Sequence, residues 1–286
     1  SRTYTATAAD TFGNAFDVTS LTTFSMATPG AGGSWAANVY TSQYAGVWTV
    51  RGQYSGLQDT ATLTVTHGNA VALTVNPSTA TIAAGTSRTY AATAADSFGN
   101  AFDVTSLTTF SMVTPGAGGT WSANVYTSQY VGVWTVLGQY AGLQDTAVLT
   151  VTPAGATELT VTPATATITA GSRVTYTATA VDTFGNVFDV TSLTNFSVTI
   201  GAGGSWAANV YTSQYAGIWT VRGQYGGLQD AAVLTVLHGS ATSVALSPKM
   251  ATVVAGASQG YLATASDAFG NAFDVTSLAT FSILET

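Results

Sequence analysis

Apolar and polar residues alternate in short runs along the whole chain. Residues 3–8, Thr-Tyr-Thr-Ala-Thr-Ala, keep a strict period of two, which marks a half-buried strand. Tyr4, Ala6 and Ala8 then face a core, and Thr3, Thr5 and Thr7 face solvent. The same reading places strands at 71–75, 79–82, 88–94, 107–112, 121–127, 132–138 and 146–151, with a turn-rich loop over 96–106 and another over 115–119. The runs are rich in Thr, Val, Tyr and Trp, and Gly, Pro, Asn and Asp separate them. Asn76-Pro77 interrupts the first run, as proline does at a sheet edge. No segment carries a helical apolar stripe. The expected core is Tyr4, Phe24, Trp48, Val50, Leu63 and Val65 with their later counterparts. Position 51 is Arg51, Leu137 or Arg222, which suits an outward residue beside inward Val50.

These runs recur as blocks. The stretch from Asp10 to Leu21, Asp-Thr-Phe-Gly-Asn-Ala-Phe-Asp-Val-Thr-Ser-Leu, returns with few changes at Asp96, Asp182 and Asp267, a period of 85 or 86 residues. Tyr40-Thr-Ser-Gln-Tyr44 and Gly52-Gln-Tyr54 recur with it. The period exceeds that of ankyrin, tetratricopeptide or leucine-rich solenoids, roughly 20 to 50 residues, and it is long enough for each unit to bury its own core. About seven strands per unit predict an all-β chain: tandem immunoglobulin-like β-sandwich domains in a linear array. The expected divisions are 1–68 (a repeat lacking its first edge strand), 69–154 and 155–239 (complete repeats), and 240–286 (the N-terminal part of a fourth). The links at 65–71 and 153–156 are short, which predicts a stiff array. Ser1 falls at a mid-repeat position, where Ser87 and Ser172 stand in later copies. The expectation is either an excerpt of a longer repetitive polypeptide or a filament whose neighbouring chains supply missing strands by strand addition.

Charged residues are 7% of the chain, against about 25% in an average soluble protein. The net charge is −7 with no basic run, which argues against nucleic acid and anionic membranes as partners. Thr, Ser, Asn and Gln must then cover the surface, a hydroxyl-rich coat open to O-glycosylation. The chain has no cysteine, so disulfides, thiolate metal sites and Cys nucleophiles are excluded. No apolar run approaches the 18 or so residues needed to span a membrane.

Four pieces, in order, resemble the bacterial immunoglobulin-like repeats of cell-surface proteins, including the invasin and intimin stalks. They are Leu-Thr-Val…Pro…Ala-Thr-Ile…Ala-Gly over 73–85, Tyr-x-Ala-Thr-Ala-x-Asp-x-Phe-Gly-Asn over 90–100, Gly-Val-Trp-Thr-Val…Tyr from 132 to 140, and Leu-Thr-Val over 149–151. The pattern covers the whole chain. The resemblance implies a sandwich fold, an extracellular or cell-surface location, and a role as stalk, spacer or fibre. It supplies no catalytic residues.

Nearly all the acid lies at three places per repeat. Asp10, Asp17 and Asp59 are followed by Asp96, Asp103 and Asp145, then Asp182, Asp189 and Asp230. With Asn14, Asn100 and Asn186 these are oxygen ligands of the type calcium takes, and an ion at that loop would stiffen the joint to the preceding domain. This reading expects the turn carrying Asp59 at the same end as the Asp10 loop. The competing reading is a side-chain turn in which Asp10 and Asn14 bond their own backbone around Gly13. Trp35, Trp48, Tyr40 and Tyr44 with their copies are either core or a sugar-stacking face. His67 and His238 lie in linkers, where the second copy has Pro153-Ala154, so a role as ligand or base is not expected. Asn195-Phe-Ser197 is a formal N-glycosylation triplet in one copy only. No nucleophile triad, phosphate loop or paired histidine recurs. The expected function is a structural, non-catalytic stalk or filament that self-associates with identical chains. The alternative is an adhesin whose repeats bind glycan or another surface.

Overall fold

A computed structural model describes residues 1–284; Glu285 and Thr286 lie outside the described residues. The chain forms two compact units, Ser1–Thr152 and Pro153–Thr286. The first carries the recurring stretches that start at Asp10 and Asp96, and the second those that start at Asp182 and Asp267.

The complete repeat of the first unit is a sandwich of short strands. One layer is Ala101–Asp103, Ala91–Asp96 and Ala70–Asn76. The other is Thr79–Ala83, Leu143–Thr152, Gly132–Tyr140 and Thr109–Met112. A small third sheet, Ser87–Thr89, Val125–Thr127 and Thr120–Ser122, closes one end. All ladders are antiparallel except Thr79–Ala83 on Val148–Thr152, which is parallel. The second unit repeats this plan with Ala156–Thr162, Thr177–Asp182 and Val187–Asp189 facing Thr165–Thr169, Leu228–Leu237, Gly217–Tyr225 and Asn195–Val198.

The structure divides the sequence more finely than the seven expected strands. The 88–94 run is two strands, parting at Tyr90. Its first part pairs with Val125–Thr127 and its second with Ala70–Asn76. Tyr90 is fully buried at that crossing, where its N–H donates to Asn124 O (2.9 Å) and its carbonyl accepts from Asn124 Nδ2 (2.6 Å). The 121–127 run is a hairpin, because Ala123 turns left-handed (φ 52°). A further strand, Ala101–Asp103, and a 3-10 turn, Thr105–Leu107, lie where a loop was expected or at its end. Polar side chains hold that stretch: Asp103 Oδ1 accepts the Thr105 N–H (2.8 Å), and Thr105 Oγ1 accepts the Ala92 N–H (2.9 Å). The long hairpin turns at Ala141-Gly142, both with positive φ, the twist a two-residue hairpin turn favours.

In the complete repeats the core is Val75, Tyr90, Tyr126, Val136 and Leu149, then Val161, Tyr176, Tyr211, Val221 and Leu234, each almost wholly buried. Tyr90, Val136, Leu149 and Val151 follow the expected phase. Both tryptophans of a repeat pack on the core: in the second unit Trp206 and Trp219 lie partly buried against it. Trp121 stacks on Phe110 (6.0 Å) and lies 5.1 Å from Tyr126. The Trp134 Nε1 donates to Tyr130 O (3.0 Å). Burial raises the Tyr176 phenol to a pKa of about 12. In the first repeat Tyr4 and Leu63 are half-buried and Ala61 is exposed. The fourth retains a three-stranded sheet, Ala241–Ser247, Leu262–Asp267 and Ala272–Asp274.

Candidate functional site

The recurring Asp-x-Phe-Gly-Asn turn lies where one repeat meets the linker that precedes it. In the first unit it joins Ala91–Asp96 to Ala101–Asp103. Gly99 supplies the left-handed position (φ +83°). Asp96 Oδ1 accepts the N–H groups of Phe98 (2.9 Å) and Asn100 (3.0 Å). Asp96 Oδ2 accepts Asn100 Nδ2 (2.8 Å) and the linker N–H of Gly68 (2.7 Å). The Asn100 amide then reaches the first repeat: Nδ2 donates to Gln43 O (2.9 Å) and Oδ1 accepts the Ala45 N–H (2.8 Å). The second unit reproduces the set. Gly239 N–H donates to Asp267 Oδ2 (2.7 Å), Asn271 Nδ2 to Gln214 O (3.0 Å), and Ala216 N–H to Asn271 Oδ1 (2.8 Å). Asp182 likewise accepts the linker N–H of Ala154 (3.0 Å) and Asn186 Nδ2 (2.8 Å). Beside the turn, His67 stacks on Phe102 and His238 on Phe273, each at 3.4 Å between ring centres.

These donors stabilise the carboxylate and lower its pKa. The Asn100 amide, followed by the Gly68 N–H, holds Asp96 far below the usual carboxylate range. Burial pushes Asp267 up, but Asn271 and the Gly239 N–H outweigh it, and the pKa is lowered to about 2. Asp10 is lowered too, chiefly by the Asn14 amide.

The other acidic positions are elsewhere. Asp17, Asp103 and Asp189 each accept an N–H of the following 3-10 turn, from Thr19, Thr105 and Thr191. Asp145 Oδ2 accepts the Val75 N–H and Asp230 Oδ2 the Val161 N–H, both 2.7 Å. Asp145 therefore meets residues 70–76 near their far end, whereas Asp96 pairs with Ala70 at the near end. At about 3.4 Å per residue, the two stand well over a carboxylate's reach apart. The expectation that the Asp59 turn and the Asp10 loop share one end is thus corrected. It assumed the long hairpin's turn faces the linker, and in the strand order its turn points the other way. Among the described residues no group of three or more His, Cys, Asp or Glu converges. Calcium takes 6–8 oxygen ligands, and here one carboxylate per turn has both oxygens occupied by N–H donors. Asp10 with Asn14, Asp96 with Asn100 and Asp182 with Asn186 each form the side-chain turn.

Sequence reasoning did not find the linker N–H groups, or the 43–45 loop that receives Asn100. The recurrence of Tyr40-Thr-Ser-Gln-Tyr44 was the available signal. Of the aromatic candidates, Tyr40, Tyr126 and Tyr211 are buried, with hydroxyls donating to the Gly32, Gly118 and Gly203 carbonyls. Tyr44, Tyr130 and Tyr215 stay about 40% exposed.

No protein-family model and no curated protein matches the chain. Solved structures do. The Escherichia coli adhesin FdeC is 22% identical over 72% of this chain and 77% of its own, with a TM-score of 0.49. Invasin, a bacterial integrin-binding protein, is 15% identical over 83% and 57%, at 0.43. Domains 4–9 of the surface layer protein SbsC are 20% identical over 85% of this chain and 44% of theirs, at 0.25. This chain thus spans less than half of that SbsC structure. None of the scores reaches 0.5, so the sandwich assignment rests on the strand pairing itself.

Proposed function

We propose that the chain is a structural, non-catalytic segment of a cell-surface stalk or filament, built from near-identical immunoglobulin-like repeats and associating with its own kind. The observation that carries this is the Asp–Asn turn. The most distinctive polar residues of each repeat bond the backbone of the linker and, through Asn100 and Asn271, the preceding repeat. Their chemistry serves to fix one repeat on the next. No helix among the described residues is long and apolar enough to cross a membrane.

A second reading, an adhesin, is favoured by one feature. Tyr44, Tyr130 and Tyr215 lie half-exposed at the same place in each repeat, beside Val47, Val133 and Ile218, which are 68%, 68% and 76% exposed. The burial of Tyr40, Tyr126 and Tyr211 removes the larger tyrosine face this reading expected. Immunogold electron microscopy of the source cells tests the first reading: label on rods or fibres outside the cell is expected, and label confined to the cell interior sinks it.

A further inference from the structure

The two sheets of a repeat turn unlike faces to solvent. In the four-stranded sheet of the second unit, Ile168, Phe196, Val198, Val221 and Leu234 point into the core. Strand alternation then sends Ile218, Thr220, Arg222 and Val233 outward, and all four are exposed. Arg222 lies in register between Ser197 and Ala231. No carboxylate belongs to this face, since Asp230 is turned inward to the Val161 N–H. Among the described residues none forms an ion pair with Arg222.

The three-stranded sheet has the opposite sign. Ala178, Ala180 and Phe188 face its core, so Glu158, Thr179, Val187 and Asp189 face out. Glu158 and Asp189 are exposed. Glu158 bonds to no described residue, and Asp189 uses Oδ1 for the Thr191 N–H. No basic residue lies on this face. The division recurs in the other repeats: Asp17 and Asp103 correspond to Asp189, and Arg51 corresponds to Arg222. The second repeat has Leu137 in place of the arginine. Aliphatic residues accompany both signs. Ile218 and Val233 are 76% and 46% exposed on the arginine face, and Val187 is 66% exposed on the acidic one.

Resting on the reading of the chain as self-associating, we propose that the arginine face of one chain docks on the acidic face of a second copy, with Arg222 against Glu158 and Asp189. The complementary charges select the partner and the register, and burial of the aliphatic residues beside them supplies affinity. Four strands about 4.8 Å apart and about five residues long present roughly 300 Å². A stable interface takes about 800 Å² per partner. One repeat therefore binds weakly, and repeats must act together. Because the two faces differ, the contact is heterologous and passes from chain to chain.

Sedimentation of the 286-residue chain over a range of protein and salt concentrations tests this. Oligomers that grow with concentration and dissociate as salt rises towards about 0.5 M are expected. Arg222→Glu and Glu158→Lys should each weaken association by roughly tenfold or more. Leu137→Arg should strengthen it, by giving the second repeat the cation it lacks. Circular dichroism should stay unchanged in all three, because each side chain faces outward and none supports the core. A mixture of the Arg222→Glu and Glu158→Lys chains should regain the association each has lost, since the reversed charges then face each other. A monomer at every concentration overturns the proposal, as do oligomers indifferent to salt and to the substitutions, or a mixture no better than its parts. Indifferent oligomers would move self-association to another surface, and the cell-surface reading is judged separately by the microscopy.

Discussion

Asp96 and Asp267 show how a single carboxylate can organise a joint without a counter-ion. Each faces amide donors only, and those donors favour the ionised form. The consequence is a defined acid sensitivity. The folded pKa of Asp267, about 2, lies below the unfolded value of about 3.9. Its stabilisation is therefore complete above about pH 4 and is lost as pH falls towards the folded value. Melting temperature followed from pH 5 to pH 2 should drop in the wild type, with a flatter profile for Asp267→Asn. Identical profiles would show that the carboxylate contributes nothing.

Leu149 of the long hairpin is fully buried. Leu149→Ala leaves a cavity under Ala70–Asn76 and should cost about 2–5 kcal/mol. Hydrogen exchange of Gly132–Tyr140 checks this; unchanged protection in the variant would show that the leucine does not hold the hairpin. The element boundaries that sequence reasoning misjudged share a cause. Residues 88–94 and 121–127 alternate without a break, so nothing local reveals a crossing at Tyr90 or a turn at Ala123. Those breaks come from Asn124 bonding both backbone groups of Tyr90, 34 residues away.

For the molecule as a whole, coupling between repeats depends on a few amide contacts. Asn100→Ala removes the bonds to Gln43 and Ala45 and leaves Asp96 one donor short. A loss of about 1–3 kcal/mol is expected, seen in calorimetry as the first and second repeats melting separately. One shared transition in the variant would place the coupling elsewhere, with the His67–Phe102 stack as the next candidate. Chelation should leave the melting temperature unchanged, because the turn is satisfied by N–H donors. A fall on adding chelator would restore calcium as the element that holds the joint.

The period, the all-β class, the alternating inward phase and the concentration of acid in one turn per repeat were all legible in the sequence. Each depends on residue spacing along a strand or on near-identity between copies, and both are local properties. The tertiary structure decided what the acid does. Asp96 and Asp145 read alike as exposed loop carboxylates, and only the strand order sends one to the linker and the other to the closing strand. It also decided where the runs at 88–94 and 121–127 break, because those breaks depend on bonds between residues 34 apart in the chain.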